Sequence, residues 1–132
     1  MSNEITYEEL LTKIQDRSRL AEGGDNAGFA LAEILPAQYY VSGHLPGAIH
    51  LPLDAFGGSL DGVLPNKDGE IVVYCASATC QNSHIAARKL ASLGYANVRV
   101  FSGGKAAWSQ AGQPLVTGEE PGSGTHPLAA TG

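Results

Sequence analysis

Hydrophobic side chains recur along the chain with two different periods, and this alternation predicts helices interspersed with strands. Residues 7 to about 19 carry apolar side chains at helical spacing, and Thr6 with Glu9 matches a capping box. Strands are predicted at 29–35, 49–52, 71–75 and 97–101, and the third is an apolar run without alternation, as expected when both faces of a strand are buried. Helical patterns follow the last two strands, from residue 82 or 83 to 93 and from 105 to 110. These elements indicate an α/β fold, namely an α/β/α sandwich around a mostly parallel central sheet.

Glycine, proline and small polar residues mark the connections between these elements. Residues 23–26 and 43–48 are predicted loops or turns, and Asp54 could cap a short helix that ends near 57–58. Gly94 suits the position after a helix end, where a left-handed backbone conformation is common. The helix before it is expected to bury four apolar side chains, those of Ile85, Ala86, Leu90 and Leu93.

Length and composition predict one globular domain followed by a tail. The chain has 132 residues, of which 43% are hydrophobic and 16% charged, so it can bury a real core. From residue 117 onward Gly, Glu, Pro, Ser and Thr dominate the composition. We therefore expect a domain over residues 1–116 and a flexible C-terminal tail over residues 117–132.

Charge, hydropathy and cysteine content limit the classes of partner and the cellular compartments that are expected for this chain. The net charge of −5 argues against nucleic acid as a partner. No apolar run approaches the roughly 20 residues needed to span a membrane, and the acidic N-terminus lacks a secretory signal pattern. Two cysteines five positions apart are too few for a disulfide framework. We therefore expect a cytoplasmic protein whose thiols are kept for chemistry.

The strand at 71–75 ends in Cys75, and a loop of small residues leads from it into the next helix. Unpaired backbone N–H groups at a helix N-terminus favour negative charge, so this position predicts a Cys75 pKa below the ordinary value of about 8.5. The same N–H groups could bind an anion or a charged intermediate. We therefore predict a nucleophilic thiol at Cys75. The expected substrate-binding loop consists of Ala76, Ser77, Ala78, Thr79, Cys80, Gln81, Asn82 and Ser83.

Three motifs in this order carry a family resemblance. They are Gly-His-Leu-Pro-Gly-Ala at 43–48, Val-Tyr-Cys at 73–75, and Gly-Gly-x-x-x-Trp at 103–108. Together they resemble the rhodanese homology domain, and the order and spacing fit from residue 6 to residue 115. The resemblance implies a single α/β domain with sulfurtransferase activity, in which Cys75 carries sulfur as a persulfide.

The chemistry expected from the residues agrees with this implication. The Cys75 thiolate would attack the outer sulfur of a donor, either a small molecule or a persulfidated protein, and the loop N–H groups would stabilise the charged terminal sulfur. A thiol or another nucleophile would then accept the sulfur, with no metal or organic cofactor required. Cys80 lies five residues from Cys75, and it is either a bystander or a relay or resolving thiol.

The chain also departs from the family pattern. Its loop resembles a subgroup with Cys-x4-Cys spacing and contains no charged side chain. Family members that use thiosulfate well tend to carry cations in this loop, so we expect weak thiosulfate activity. The first strand usually ends in Asp-x-Arg, whereas here Glu33 is the nearest acid and no arginine follows. The support that this pair gives the loop is therefore missing or replaced.

Other polar residues have simpler interpretations. We expect His44 to be structural within its turn rather than a proton carrier. His84 is read as a surface residue, with contact to an incoming anion as the alternative, and Arg88 as part of a solvated helix face. Trp108 and Tyr74 are expected to be core residues. With two cysteines and scattered histidines, no metal site is predicted.

Two other classes of protein are alternatives to a sulfurtransferase. A cysteine-dependent phosphatase or arsenate reductase uses Cys-x5-Arg, because the bound oxyanion needs a bidentate guanidinium. The corresponding position here is Gln81, so this class is disfavoured. A non-catalytic binding or sulfur-storage module of the same fold stays open, since the first strand and the loop both depart from the family pattern.

Overall fold

A four-stranded parallel sheet organises the molecule, in the strand order β2-β1-β3-β4. The computed structural model describes residues 4–21, 29–57, 60, 64 and 67–118. The α/β class and the parallel sheet predicted from the apolar runs are both confirmed. The strands are β1 (Phe29–Glu33), β2 (Ile49–His50), β3 (Glu70–Tyr74) and β4 (Asn97–Phe101).

Helices connect the strands and begin close to where the helical patterns place them. They are α1 (Tyr7–Ala21), α2 (Ala37–Ser42), α3 (Asn82–Ser92) and α4 (Gly104–Gln110), with a 3₁₀ helix at Leu53–Gly57. The Glu9 N–H donates to Thr6 Oγ1 at 3.1 Å, which confirms the predicted N-cap of α1. The Glu9 carboxylate pairs with Arg99 of β4. Among the described residues, no helix is both long and apolar enough to cross a lipid bilayer.

The central strand β3 separates two hydrophobic clusters, which lie on opposite faces of the sheet. Ile71 and Val73 belong to one cluster, together with Leu90 of α3, whereas Val72 and Tyr74 belong to the other. Side chains of α1 and α4, such as Leu10 and Trp108, complete the second cluster. Successive residues of β3 are thus buried on alternate sides, which explains its uninterrupted apolar sequence and gives the α/β/α sandwich.

Local differences from the sequence prediction occur at short elements. Residues 39–43 were read from the sequence only as a lead into the turn, but most of them belong to helix α2. The Tyr40 side chain of this helix is buried and donates its hydroxyl to the Ala48 carbonyl oxygen. Asp54 lies in the first turn of the 3₁₀ helix rather than before it. The predicted loop at 23–26 lies outside the described residues, as does most of the predicted tail, residues 119–132.

The C-terminal end of α3 departs from one further expectation. Gly94 has φ +100°, so the predicted glycine after the helix end is confirmed. The prediction that Leu93 is buried was wrong, because its side chain is 42% exposed. The helix ends at Ser92, and the turn of the backbone at Gly94 leaves Leu93 at the solvent surface.

The strand register determines where the functional groups meet. Tyr74 at the end of β3 lies level with Glu33 of β1 and Phe101 of β4. The residues that follow these strand ends therefore converge at the carboxyl edge of the sheet, the usual place for ligand sites in open parallel sheets. Cys75 is one of them.

Candidate active site

Cys75 is the first residue after β3 and is buried at the carboxyl edge of the sheet. Only 1% of its surface is exposed. Its Sγ donates to the Cys80 carbonyl oxygen at 3.4 Å and to Ser83 Oγ at 3.5 Å. The loop that follows the strand therefore folds back over the sulfur, and two of the predicted loop residues contact it.

The loop between β3 and α3 is a tight turn of small, uncharged residues. The Cys80 N–H donates to the Ser77 carbonyl oxygen at 3.0 Å, and the hydroxyls of Ser77 and Thr79 are 3.1 Å apart. At the far end of the loop, the Asn82 amide donates to the Ile34 carbonyl oxygen at 3.2 Å, which ties the start of α3 to the end of β1. The exposed residues of the loop are Ala76, Ala78, Thr79 and Gln81.

Polar groups of the loop act on the pKa of both thiols. The Ser83 N–H lowers the pKa of the Cys75 thiol, and the N–H groups of Ala76 and Asn82 lower the pKa of the Cys80 thiol. Each thiol also shifts the pKa of the other. The donors of the loop thus act on a pair of thiols, whereas the sequence predicted donors gathered on Cys75.

The predicted acidity of Cys75 was wrong. Burial raises the pKa of the Cys75 thiol, and the hydrogen bond with Cys80 raises it further, against the smaller lowering effect of Ser83. Burial acts in the same direction on Cys80, but the hydrogen bonds from Cys75, Asn82 and Ala76 outweigh it and lower the pKa of that thiol. The two thiols are thus shifted in opposite directions, and each contributes to the shift of the other.

The beginning of α4 holds the start of the loop in place. The Lys105 N–H donates to the Cys75 carbonyl oxygen at 3.0 Å, and the Ala106 N–H donates to the Ala76 carbonyl oxygen at 2.9 Å. Gly104 has φ +61°, and a Cβ atom at this position would overlap the Cys75 carbonyl group. The second glycine of the 103–108 motif therefore allows the helix backbone to approach the loop backbone directly.

A buried ion pair occupies the end of β1, where the family's Asp-x-Arg pattern is absent. Glu33 is fully buried and accepts hydrogen bonds from the Tyr74 hydroxyl at 2.7 Å and from Lys105 Nζ at 3.1 Å. Lys105 Nζ also donates to the carbonyl oxygens of Tyr39 and Gly43 at 2.8 and 2.7 Å. This cluster joins both strand ends, α2 and α4 beside the loop, and it supplies the support that the sequence pattern lacked.

The sequence did not reveal this cluster, although its members were visible. Lys105 lies 72 residues after Glu33, and nothing in the local pattern joins them. Tyr74 was predicted to be a core residue, and it is buried, but its hydroxyl also accepts a hydrogen bond from the Leu45 N–H at 3.0 Å. An acid inside an apolar strand is the one available signal, because a buried carboxylate requires a partner.

The remaining candidate residues lie in different surroundings. His44 is fully buried, with its ring stacked on Tyr40 and Nδ1 2.7 Å from the Tyr40 carbonyl oxygen, a structural position within the turn. His84 is half-buried and Arg88 is exposed, both on α3. Trp108 is buried in the core, as predicted. No group of three or more His, Cys, Asp or Glu side chains that could hold a metal ion occurs within the described part of the chain.

Comparison with known proteins identifies the family. The chain belongs to the rhodanese-like domain family, whose model matches residues 16–111. The resemblance seen in the three motifs is thereby confirmed.

Relatives and solved structures agree with this assignment. The HTH-type transcriptional regulator Rv0324 of Mycobacterium tuberculosis is 32% identical over 120 residues, which cover 91% of this chain and 47% of the regulator. A protein of Allochromatium vinosum named sulfurtransferase is 29% identical, over 90% of this chain and 99% of its own length. The thiosulfate sulfurtransferase of Pseudomonas aeruginosa shares the fold, with a TM-score of 0.70 and 23% identity over 88% of this chain and 20% of that chain. This chain thus spans less than half the length of the regulator.

Proposed function

We propose that the protein is a sulfurtransferase that carries sulfane sulfur as a persulfide on Cys75 and passes it to a thiol or another nucleophile. The observation that carries this proposal is a free cysteine directly after the central strand, enclosed by a loop of small residues whose Cys80 carbonyl and Ser83 hydroxyl contact the sulfur. Membership of the rhodanese-like family and the sulfurtransferase relative support it.

Loading follows from the groups around Cys75. The ionised sulfur attacks the outer sulfur of a donor, and the rest of the donor leaves with the electron pair of the broken S–S bond. The terminal sulfur of the new persulfide then carries negative charge. Ser83 stands beside this position with its N–H and its hydroxyl, and the other loop N–H groups lie close by.

In the transfer of sulfur to an acceptor, Cys75 is the leaving group instead of the nucleophile. An acceptor thiolate attacks the terminal sulfur, and Cys75 leaves as the thiolate. Both steps are exchanges at sulfur that thiolates perform without a metal or an organic cofactor. We propose a cytoplasmic location, because a reducing compartment keeps both thiols free, and we propose neither nucleic acid nor a membrane as a partner.

The loop favours donors of low charge. It contributes no cationic side chain, and the side chain of Lys105, whose backbone N–H contacts the start of the loop, is held by Glu33 and by two carbonyl oxygens. A thiosulfate dianion would lose its hydration without gaining a positive partner. We therefore propose a small persulfide, a polysulfide or a persulfidated protein as the donor, with weak activity on thiosulfate.

Mass spectrometry of the intact protein tests the proposal. After incubation with glutathione persulfide, the Cys80→Ser protein should gain about 32 Da, the mass of one sulfur atom, and should lose it on reduction. Cys75→Ser should gain nothing, because serine keeps the shape of the residue but cannot form a persulfide. Equal sulfur uptake by Cys75→Ser would contradict the proposal. No uptake by any variant would favour a non-catalytic binding module.

Phosphoryl and arsenate chemistry receive no support from the loop. Gln81 stands where that chemistry requires an arginine, and its side chain is exposed to solvent.

A further inference from the structure

The loop places a second thiol against the sulfur that would carry the persulfide. Cys80 is half-exposed, whereas Cys75 is buried. The turn closed by the Cys80 N–H on the Ser77 carbonyl oxygen brings the two cysteines together, so that the Cys75 sulfur lies 3.4 Å from the Cys80 carbonyl oxygen.

We propose that Cys80 resolves the Cys75 persulfide: it attacks the inner sulfur, forms a disulfide within the loop and releases the outer sulfur as hydrosulfide. This inference rests on the proposed function, because it begins from a loaded Cys75. It adds a second activity to sulfur transfer, namely reduction of sulfane sulfur to sulfide.

The step balances without any external oxidant. The Cys80 thiolate donates an electron pair to the Cys75 Sγ, and the bond from that atom to the outer sulfur breaks. The proton of the Cys80 thiol passes to the negatively charged outer sulfur, which leaves as hydrosulfide with the electron pair of that bond. Two cysteine sulfurs are oxidised to a disulfide, and one sulfane sulfur is reduced to sulfide.

Attack on the inner sulfur is favoured over transfer of the outer sulfur to Cys80. The Cys75 sulfur lies 3.4 Å from the Cys80 carbonyl oxygen, so Cys80 already lies against the inner atom. Transfer of the outer sulfur would need that atom to lie in line between the two cysteines, and it would expel the Cys75 thiolate. Burial raises the pKa of Cys75, and a less acidic thiol is the poorer leaving group.

The surroundings of Cys80 suit this role. The N–H groups of Ala76 and Asn82 lower the pKa of its thiol, which favours formation of the attacking thiolate. Its partial exposure also gives an external thiol access to the disulfide. Two molecules of a low-molecular-weight thiol would restore the dithiol, one by attack on the Cys80 sulfur and one by release of the mixed disulfide.

The experiment is a single turnover in oxygen-free buffer. The protein is treated with one equivalent of glutathione persulfide, freed at once from small molecules by gel filtration, and assayed for hydrosulfide and for alkylatable thiols. Wild type should release about one hydrosulfide per protein and become about 2 Da lighter, with neither cysteine alkylated. The rate of release should not change with protein concentration, because the step is intramolecular.

Variants separate this inference from the proposed function. Cys80→Ser and Cys80→Ala should keep the added sulfur on Cys75, with a persulfide half-life at least about tenfold longer than in wild type. Ser92→Ala, an exposed change at the far end of α3, should behave as wild type. A persulfide on wild-type Cys75 as long-lived as in Cys80→Ser, or one mapped to Cys80 without hydrosulfide, would overturn the inference and leave sulfur loading intact. Absence of any added sulfur in both Cys80 variants would instead refute the proposed function.

Discussion

Gly104 illustrates how a single residue can determine the geometry of the site. Its backbone has φ +61°, and an added Cβ would overlap the Cys75 carbonyl group. Gly104→Ala should therefore move α4 away from the loop, lower the free energy of unfolding by more than about 1 kcal/mol and slow persulfide formation. Both are measurable, by chemical denaturation and by single-turnover loading.

Gly112→Ala is the matched control for this substitution. Gly112 also has a positive φ, +85°, but a Cβ there would meet nothing within 4 Å. The Gly112→Ala variant should lose only the unfolding free energy that a positive φ costs a residue with a side chain, and it should load sulfur at the wild-type rate. Equal slowing of loading in the two variants would show that contact with the Cys75 carbonyl is not what matters.

The titration of the two thiols makes a second prediction at the residue scale. Because burial and the Cys80 thiol raise the pKa of Cys75, the rate of loading should still be rising with pH above the ordinary cysteine pKa of about 8.5. Cys80→Ser removes one of the two causes, so its profile should shift to lower pH while staying above the ordinary value. Rapid-quench loading with glutathione persulfide across the pH range measures both profiles. A plateau in wild type below about pH 8 would contradict the assignment.

The sequence identified Cys75 but misjudged its acidity, and the reason is physical. A strand that runs into a cysteine and a helix is a local pattern, which the sequence displays directly. The pKa depends on desolvation and on the partner that the loop brings to the sulfur, and both follow only from the folded loop. The argument from the helix N-terminus considered the favourable N–H groups and omitted the cost of burial.

At the scale of elements, a buried ion pair joins β1 to α4, the helix whose backbone holds the start of the loop. Lys105→Met would leave Glu33 buried without a cation, and we expect the free energy of unfolding to fall by about 3–5 kcal/mol. The double variant Glu33→Gln with Lys105→Met should recover much of this loss. Lys13→Met, which breaks the more exposed pair with Glu70, is the control and should cost much less. Urea denaturation provides the comparison, and equal losses in the two single variants would contradict the prediction.

The elements themselves were predictable to different degrees. The long amphipathic α1 and α3 and the strands β3 and β4 follow from their hydrophobic period, with ends shifted by one or two residues. Helix α2 was missed because it has six residues, and Tyr40 is its one buried side chain, so no period could form. The contact of α4 with the loop could not be predicted from the sequence either, because it joins segments about 30 residues apart through backbone atoms.

At the scale of the whole molecule, net charge and the uncharged loop act together on substrate choice. The chain carries a net charge of −5, which repels anions over long range, and the loop offers no local compensation. We expect Ala76→Arg to raise kcat/KM for thiosulfate in the thiosulfate:cyanide assay by at least about tenfold, on the scale of one charge-assisted hydrogen bond. Turnover with glutathione persulfide should change much less.

Ala91→Arg separates the effect of a cation in the loop from the effect of the net charge of the whole chain. Ala91 is exposed near the end of α3, so this variant has the same net charge as Ala76→Arg without a cation in the loop. Its effect should be small and should vanish at high ionic strength, whereas that of Ala76→Arg should largely persist. Thiosulfate turnover by the unmodified protein as fast as turnover with persulfide donors would refute this view of donor choice.

The hydrogen bonds from Lys105 and Ala106 to the loop also have a consequence for biosynthesis. The thiol and its loop are translated before the helix that anchors them, and the sheet that carries them pairs segments distant in sequence. A nascent chain that has reached α3 holds Cys75 without its final geometry, and non-local contacts of this kind form late in folding. Sulfur loading should therefore begin only once α4 has left the ribosome and docked, so that the persulfide marks chains whose folding is complete.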